Sequence, residues 1–301
     1  MTSFLLPALA ALAIAVPPPS KPPTQADVIN GATPAEWGRF DPQNLMLIDL
    51  ADGSRVAIAL APDFAPAHVA NIRALVRALW FEGGSVYRVQ DNYVVQWGQG
   101  DDEKALPQGL GKPLPAEYER PAAGLTITPI PYRDTFASKV GYSGAFPTAA
   151  EGARAWMAHC YGMVGVARGL IPDTGSGGEL YAIVGQSPRQ LDRNIALVGR
   201  VLDGFDHMTA LPRGSGTLGF YDKDQRRLGI KRVMMAADLP AAERPAYEWL
   251  RPESASFAKW LHLRANRRDD FYARPAGAID LCNALPPVRA VKPVLNGVEG
   301  G

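Results

Sequence analysis

Short apolar runs separated by turn residues dominate the first part of the chain. Residues 44–50 (NLMLIDL) and 55–61 (RVAIALA) have the apolar, β-branched character of strands, and they flank Asp52-Gly53, a dipeptide typical of a tight hairpin. Residues 66–80 instead place apolar side chains at helical spacing, with a proline in the first turn and a glycine pair beyond the end. The pattern predicts a β-hairpin followed by a helix.

Five more runs between turn residues are typical of short strands: 85–90, 93–97, 162–167, 179–184 and 195–201. The stretch between them, about 102–159, is rich in Gly, Pro and aromatic residues and has no sustained periodicity. So long a segment inside a compact domain is usually functional or an insertion with its own packing. We therefore expect a long loop insertion there.

The C-terminal part has a different pattern. PAAERPAYEWL and ESASFAKWLHLRANRRDDF both have helical spacing, and Pro252 marks a boundary between two predicted helices. Residues 278–289 predict a last strand that carries Cys282. A helix-poor middle followed by a helical tail favours a closed β-barrel with additions over a doubly wound sheet.

Composition and charge narrow the classes of function. The 301 residues include 27 prolines and 30 glycines, which is typical of a turn-rich, mainly β protein. The 31 basic and 30 acidic side chains leave a net charge of +1, so nothing indicates a nucleic acid partner. Four histidines lack metal-ligand spacing: His68, His159, His207 and His262. We therefore expect neither a metal nor a cofactor.

The amino-terminal segment indicates export. Residues 1–15 carry no charged side chain, run apolar from Phe4 onward, and end on Ala13-Ile14-Ala15, a small-x-small cleavage site. This segment is too short to span a bilayer, so we predict a cleaved signal peptide, a periplasmic protein and no stable membrane insertion after cleavage. Residues 16–40 then predict a Pro-rich linker. Because no Lys or Arg precedes the apolar run, an apolar tail on a cytosolic protein is the alternative.

Export would give the two cysteines a role. Cys160 and Cys282 lie far apart in the sequence and form no CxxC motif. In an oxidising compartment they predict one disulfide, which could contribute about 4 kcal/mol for so long a loop. Two buried free thiols are the alternative.

Two glycine-rich segments resemble nucleotide-binding motifs but lack their context. Residues 214–219 (GSGTLG) match GxGxxG, yet no helix follows them, as a dinucleotide site would need. Residues 109–112 (GLGK) lack the Ser or Thr of a P-loop and are followed by Pro113. No GxSxG occurs either, so a hydrolase is poorly supported.

Four blocks, taken together, resemble the cyclophilin family of peptidyl-prolyl isomerases. Residues 52–76 (DGSRVAIALAPDFAPAHVANIRALV) are similar to the family's opening hairpin and first helix, and 83–101 (GGSVYRVQDNYVVQWGQGD) to its FHRVxxxFxxQGGD segment. Residues 162–169 (GMVGVARG) resemble its GxxSMA strand, and 177–206 its SQFFI-to-GMD region. The blocks follow the family's order and lie near its spacing.

The resemblance implies a mainly β fold, with a closed eight-stranded antiparallel barrel capped by helices over residues 41–235. The insertion would occupy about 102–159, and residues 236–301 would form a C-terminal extension packed on this domain. The implied activity is rotation of X-Pro bonds, whose amide resonance sets a barrier of about 18–20 kcal/mol. A guanidinium can donate to the proline nitrogen as conjugation is lost, so no cofactor is needed.

The resemblance also implies the site residues. Arg88 matches the family's catalytic arginine, and Gln96 matches its backbone-binding glutamine, eight positions later. The implied substrate-binding residues are Tyr93, Val94, Ala167, Arg168, Glu179, Tyr181, Leu191 and Ile195. The implied partners are proline-containing segments of client proteins that fold after export.

Several positions depart from the family pattern. Glu179 replaces a glutamine and could pair with Arg88 and compete with substrate, Trp97 replaces a glycine, and Ile195 stands where a polar residue is common. A second hypothesis is therefore a weak or inactive peptide-binding or chaperone module. A third is a structural envelope protein, which an exposed apolar patch around Trp249 and Trp260 would favour.

Overall fold

A computed structural model describes residues 23–100, 104–269 and 271–291 of the chain. The predicted signal peptide lies outside the described residues. The helices are α1 (Gln25–Gly31), α2 (Pro66–Arg77), α3 (Phe205–Thr209) and α4 (Ala255–Ala265). The strands are, in chain order, β1 (Trp37–Arg39), β2 (Leu45–Leu50), β3 (Arg55–Leu60), β4 (Ser85–Gln90), β5 (Val94–Gly98), β6 (Arg120–Pro121), β7 (Thr128–Pro129), β8 (Lys139–Ser143), β9 (Phe146–Glu151), β10 (Arg154–Met157), β11 (Met163–Val166), β12 (Leu180–Ile183), β13 (Leu197–Asp203), β14 (Leu228–Met235), β15 (Ala246–Leu250) and β16 (Val288–Val291).

Eight antiparallel strands close into a barrel in the order β11-β12-β5-β4-β14-β2-β3-β13. The predicted closed eight-stranded barrel is therefore confirmed. Seven of its strands coincide with predicted runs, and the predicted hairpin turns at Gly53, whose φ is +90°. The eighth strand, β14, escaped prediction because a bulge between Ile230 and Arg232 breaks its alternation of buried and exposed side chains.

Helix α2 covers the barrel with one apolar face. Val69, Ile72, Leu75 and Val76 are buried in the cluster that also holds the inward side chains of β2 and β3. Removing such a side chain from water contributes up to about 2 kcal/mol, so this face fixes the helix on the barrel.

The insertion supplies the cap that α2 lacks. Ala65, at the N-cap position, offers no side-chain acceptor, and the backbone N–H groups of Ala67 and His68 donate instead to the carboxylate of Glu117, both at 2.9 Å. Burial raises the pKa of Glu117, but these bonds and that of the His68 ring lower it below its ordinary value overall. The negative charge also suits the positive end of the helix dipole.

The insertion is a five-stranded sheet, not the predicted loop. Its order is β6-β10-β9-β8-β7, and Val140, Tyr142 and Trp156 bury their side chains beneath it. Gly141 lies so close to β7 that a Cβ there would come within 2.1 Å of the Thr128 carbonyl oxygen. Glycine within the strands and the two-residue length of β6 and β7 hide the alternation that sequence analysis needs.

A second sheet, β1-β15-β16, corrects two predictions. Residues 25–39 of the predicted linker form α1 and β1, and α1 packs on α4. The first predicted tail helix is instead β15, where Tyr247 and Leu250 are buried, because β1 and β16 pair with it on both sides. The predicted second helix is present as α4.

The tail also differs at its end and on its surface. Cys282 lies in a 3-10 turn, Leu281–Asn283, and the last strand begins only at Val288. The Trp260 side chain is buried against Phe257, and the half-buried Trp249 ring packs 4.6 Å from that of Phe40. These two tryptophans therefore do not form the exposed apolar patch that would favour a structural envelope protein.

Cys160 and Cys282 form a disulfide, as predicted, with their Cα atoms 4.9 Å apart. It joins the end of the insertion to the C-terminal extension. Within the described ranges, no helix has both the length and the apolar character needed to cross a membrane.

Candidate active site

Three neighbouring barrel strands bring the predicted site residues together. Arg88 on β4 pairs in register with Gln96 on β5, and Gln96 pairs with Tyr181 on β12. Because adjacent strands lie about 4.8 Å apart, these residues form one patch of the barrel wall, in which Gln96 and Tyr181 are buried and Arg88 is partly exposed. The patch is set by strand register, so it is as rigid as the barrel.

Arg88 is half-buried and held by neutral acceptors. Its Nε donates to the Leu218 carbonyl (2.8 Å), one terminal nitrogen to Gln96 Oε1 (3.2 Å), and the other to Gln90 Oε1 (2.5 Å). Within the described chain, no ion pair joins Arg88 to a carboxylate. Burial lowers the pKa of Arg88, yet an arginine stays charged at neutral pH. The site therefore holds a fixed positive charge.

Two aromatic rings complete the surroundings of Arg88. The guanidinium carbon lies 5.0 Å from the ring centre of Phe220 and 5.8 Å from that of Tyr93. Phe220 also stacks on Tyr87 at 6.1 Å. These contacts orient the guanidinium and leave its charge uncompensated.

Leu218 lies in the glycine-rich segment 214–219 that resembled a nucleotide motif, and Phe220 directly follows this segment. The backbone N–H of Gly214 donates to the Val89 carbonyl, which fastens this loop to β4. Gly219 has φ +78°, and a Cβ there would lie 2.6 Å from the Cα of Gln90. The glycines thus permit close backbone approach to the strand that carries Arg88. Sequence analysis missed this role, although a demand for close approach is what clustered glycines signal.

Gln96 connects Arg88 to Tyr87. Its oxygen accepts from Arg88, so its amide nitrogen faces Tyr87 and donates to that hydroxyl at 2.5 Å. Burial and the nearby charge of Glu179 raise the pKa of Tyr87, which keeps the hydroxyl protonated. These two hydrogen bonds fix the orientation of the Gln96 amide.

Glu179 does not pair with Arg88, contrary to the expectation from sequence. Its carboxylate accepts the backbone N–H groups of Gln99 (2.9 Å) and Gly100 (3.3 Å). A Cβ on Gly98 would lie 2.0 Å from the same carboxylate, so the glycine makes room for it. Glu179 therefore holds the end of β5 and leaves Arg88 accessible.

A groove of about 1000 Å³ opens beside this patch. Four of the predicted site residues line it: Gln96, Ala167, Arg168 and Glu179. Tyr87 and Phe220 line it too, and residues 106–113 of the insertion contribute on the other side. We call this cavity the groove.

Tyr93 belongs to a second cavity, of about 560 Å³. Its wall includes the barrel loop 185–190, Phe136 of the insertion, and Asp280 and Asn283 of the tail. We call this cavity the distal pocket. No sequence pattern predicted it, because its wall comes from three separate parts of the chain.

A buried polar chain supports Tyr181. Its hydroxyl lies 3.2 Å from His159 Nε2, and His159 Nδ1 lies 3.0 Å from Asp192. Arg189 donates to Asp192 (2.6 Å) and to both carboxylate oxygens of Asp134 (2.8 and 3.1 Å). Because a carboxylate only accepts, His159 Nδ1 donates to Asp192, and in the neutral ring Nε2 accepts from the Tyr181 hydroxyl.

Electrostatic interactions favour the charged forms of Asp192 and Arg189 in this buried polar chain. Burial raises the pKa of Asp192, but the bond from His159 and the charge of Arg189 lower it below its ordinary value overall. Burial alone would lower the pKa of Arg189, and its two carboxylate partners raise it. Sequence analysis found no metal-ligand spacing around His159 and did not foresee that it supports a site residue.

The remaining predicted residues lie at the margin. Val94 is buried and packs in the same cluster as Tyr181. Ile195 lies beside Tyr118 and Trp156 of the insertion, around a cavity of only about 10 Å³. Leu191 and Ile195 line neither the groove nor the distal pocket.

Comparison with known families agrees with this geometry. The sequence model of "Cyclophilin type peptidyl-prolyl cis-trans isomerase/CLD" matches residues 45–233. The chain belongs to this family. The match begins at β2, ends within β14, and includes every predicted site residue.

Curated relatives of this cyclophilin-type chain match over a shorter stretch. A "Probable peptidyl-prolyl cis-trans isomerase" of Brucella suis biovar 1 (strain 1330) is 38% identical over 90 residues, 27% of this chain and 45% of the relative. The protein of the same name in Brucella abortus (strain 2308) is 37% identical over the same shares. The match thus spans less than half the length of these relatives.

A solved structure resembles far more of the cyclophilin-type chain. The crystal structure of cyclophilin AquaCyp293 from Hirschia baltica has a TM-score of 0.66 and 25% identity, and the match covers 90% of this chain and 98% of that one. A match of that extent takes in residues outside 45–233. The structural similarity therefore extends beyond the stretch that the family's sequence model matches.

Proposed function

We propose that this chain is a peptidyl-prolyl cis-trans isomerase that acts on proline-containing segments of client proteins, with Arg88 stabilising the twisted amide. The observation that carries the proposal is the setting of Arg88, a charged group oriented by neutral acceptors and aromatic rings. Three of its five N–H groups make the bonds described above, so two can serve a ligand.

The chemistry asks for such a group. When the X-Pro bond twists, the proline nitrogen loses conjugation and regains a lone pair. A donor that is already oriented interacts with this nitrogen more strongly in the twisted state than in either planar state, and only such a difference accelerates rotation. Because Arg88 is held on β4 and by the glycine-rich loop, little reorganisation is needed when the lone pair develops.

Gln96 and the groove would hold the rest of the segment. The Gln96 amide nitrogen has a second N–H besides the one given to Tyr87, and the residue lines the groove. Ala167 also lines the groove; its N–H already donates to the Glu179 carbonyl at 2.9 Å, so its own carbonyl is the group that can accept from an extended peptide. The position of Glu179 supports activity over the binding-only hypothesis, since its carboxylate is occupied at the end of β5.

We infer further that the protein works outside the cytoplasm, where it assists the folding of exported proteins. The apolar segment 1–15 and the disulfide between Cys160 and Cys282 support this, because structural disulfides persist in oxidising compartments. Amino-terminal sequencing of the protein recovered from the periplasm tests it, and an intact residue 1 in a cytoplasmic fraction would contradict it.

The activity is tested by exchange-detected isomerisation of short X-Pro peptides. We expect wild-type protein to accelerate exchange and Arg88→Ala to lose about 100- to 1000-fold in kcat/KM, as for removal of an oriented donor. Arg55→Ala is the matched control, because Arg55 makes a surface ion pair with Asp49 on the hairpin of β2 and β3. Binding of proline peptides without any acceleration would support the peptide-binding module and end the enzyme proposal.

A further inference from the structure

The groove and the distal pocket lie at opposite ends of the strands that carry the site. On β5, Gln96 near the carboxyl end faces the groove, and Tyr93 just before the amino end faces the distal pocket. On the antiparallel neighbour β12, Glu179 precedes the strand at the groove end and residues 185–190 follow it at the pocket end. Arg88 and Tyr181 pair in register with Gln96, and the Arg88 guanidinium carbon lies 5.8 Å from the Tyr93 ring.

The separation suits an extended polypeptide. At about 3.3 Å per residue, the step from one end of β5 to the other corresponds to about four extended residues. A short peptide whose proline lies at Arg88 would reach one cavity at most. A longer segment could occupy both.

The lining of the distal pocket suits a peptide as well. Phe136 and Tyr161 expose 51% and 46% of their surface, and both residues line this cavity. Exposed rings grouped in a cavity mark a binding surface more often than scattered apolar residues do. Asn92, Gln186 and Asn283 add side-chain amides, which can both donate to and accept from a peptide backbone.

Tyr93 makes the distal pocket continuous with the site. The same ring lies 5.8 Å from the Arg88 guanidinium carbon and forms part of the pocket wall. A chain leaving Arg88 over Tyr93 therefore enters the pocket directly. We propose that the distal pocket is a subsite for the client segment on one side of the proline, while the groove holds the segment on the other side.

This inference rests on the proposed function, and it gives the insertion and the C-terminal extension a role in binding. Phe136 comes from the insertion and Asn283 from the tail, next to the disulfide that joins the two.

The test compares three peptides: a tetrapeptide core with one proline, and the same core lengthened by about five residues on its amino side only or its carboxyl side only. We expect wild-type protein to bind each lengthened peptide with a KM about fivefold lower than that of the core. The readout, taken for each lengthened peptide, is the ratio of the KM of the core to the KM of that peptide. In Phe136→Ala this ratio should fall to about one for one of the two lengthened peptides and should stay at the wild-type value for the other.

Two further variants keep the test decisive. Phe136 also packs 4.9 Å from the guanidinium of Arg189, so its removal could act through that contact. Asn283→Trp would instead fill the pocket from its exposed tail side, and it should abolish the same gain. Phe271→Ala is the matched control: its ring is 83% exposed and lines neither cavity, so the ratios should not change.

The outcomes separate this inference from the proposed function. If the core is isomerised but lengthening brings no gain, or if the gain survives both pocket variants, the subsite is ruled out while the isomerase stands. If no peptide is isomerised, the proposed activity falls, and calorimetric affinities of the same peptides decide the subsite. Tighter binding of one lengthened peptide that both pocket variants abolish would support it, and equal affinities would overturn it.

Discussion

Two arginines near the site are used in opposite ways. Arg88 is half-buried and bonded to neutral acceptors: the Leu218 carbonyl, Gln90 and Gln96. Arg189 has only 3% of its side chain exposed and is bonded to Asp134 and Asp192, whose side chains are 2% and 6% exposed. Both guanidinium groups also face an aromatic ring.

The difference lies in the charge of the partners. Asp134 and Asp192 neutralise the charge of Arg189. Arg189 therefore links the insertion to the barrel loop, and its charge is not available to a ligand. Arg88 has acceptors that orient it without neutralising it, so its charge can act on a substrate. An arginine whose guanidinium is oriented but not neutralised can stabilise a reacting group, whereas an arginine neutralised by buried carboxylates stabilises the fold.

The largest expected effect is on the fold, through Arg189. Arg189→Met would leave Asp134 and Asp192 buried without their cation, and breaking a buried pair from one side costs about 3–5 kcal/mol. Urea unfolding with the disulfide intact measures this loss. Arg55→Ala, which breaks a surface pair, should cost less than about 1 kcal/mol. A free energy of unfolding for Arg189→Met within about 1 kcal/mol of wild type would contradict the structural role.

These two arginines also show what sequence can predict. Arg88 and Gln96 lie eight positions apart on neighbouring strands, so one local motif places both. Arg189 meets an aspartate 55 positions away, in a segment without periodicity, and no local pattern links them. The barrel was predictable because most of its strands are short apolar runs. The insertion sheet was missed because a glycine and two-residue strands hide its alternation, although β8, β9 and β10 pair with their neighbours in the sequence. The distal pocket depends on contacts between distant segments, which no single stretch encodes.

The difference in free energy of unfolding between wild type and Arg189→Met should become smaller at acidic pH. Because the folded pKa of Asp192 lies below its ordinary value of 3.8, its ionised form stabilises the fold at pH values above 3.8. That contribution disappears as the pH falls through the folded pKa. In the variant, protonation also relieves the unpaired carboxylates. Urea titrations from neutral pH down to about pH 3 should therefore show the two free energies of unfolding converging. A constant difference over this range would mean that the carboxylates contribute little.

A smaller loss of stability is expected at Tyr181, the other end of the buried polar chain. Tyr181→Phe removes the hydroxyl that bonds to His159 and leaves that buried ring nitrogen without a donor, which costs about 1–2 kcal/mol. His159→Leu in the same background should then cost less than it does in wild type, because the two residues share one bond. Urea unfolding of the four proteins of this cycle gives the coupling energy. Strictly additive losses would show that the bond contributes nothing.

The smallest expected change in stability completes the comparison of the arginines. Arg88→Met is the same substitution as Arg189→Met, made where the partners are neutral. Gln90 and the Leu218 carbonyl can turn to water, and only the buried Gln96 oxygen loses its donor, so we expect a loss of about 1 kcal/mol or less. The same protein should lack isomerase activity. If Arg88→Met instead unfolds as readily as Arg189→Met, the guanidinium is structural in both places, and the observation on which the proposed activity rests loses its force.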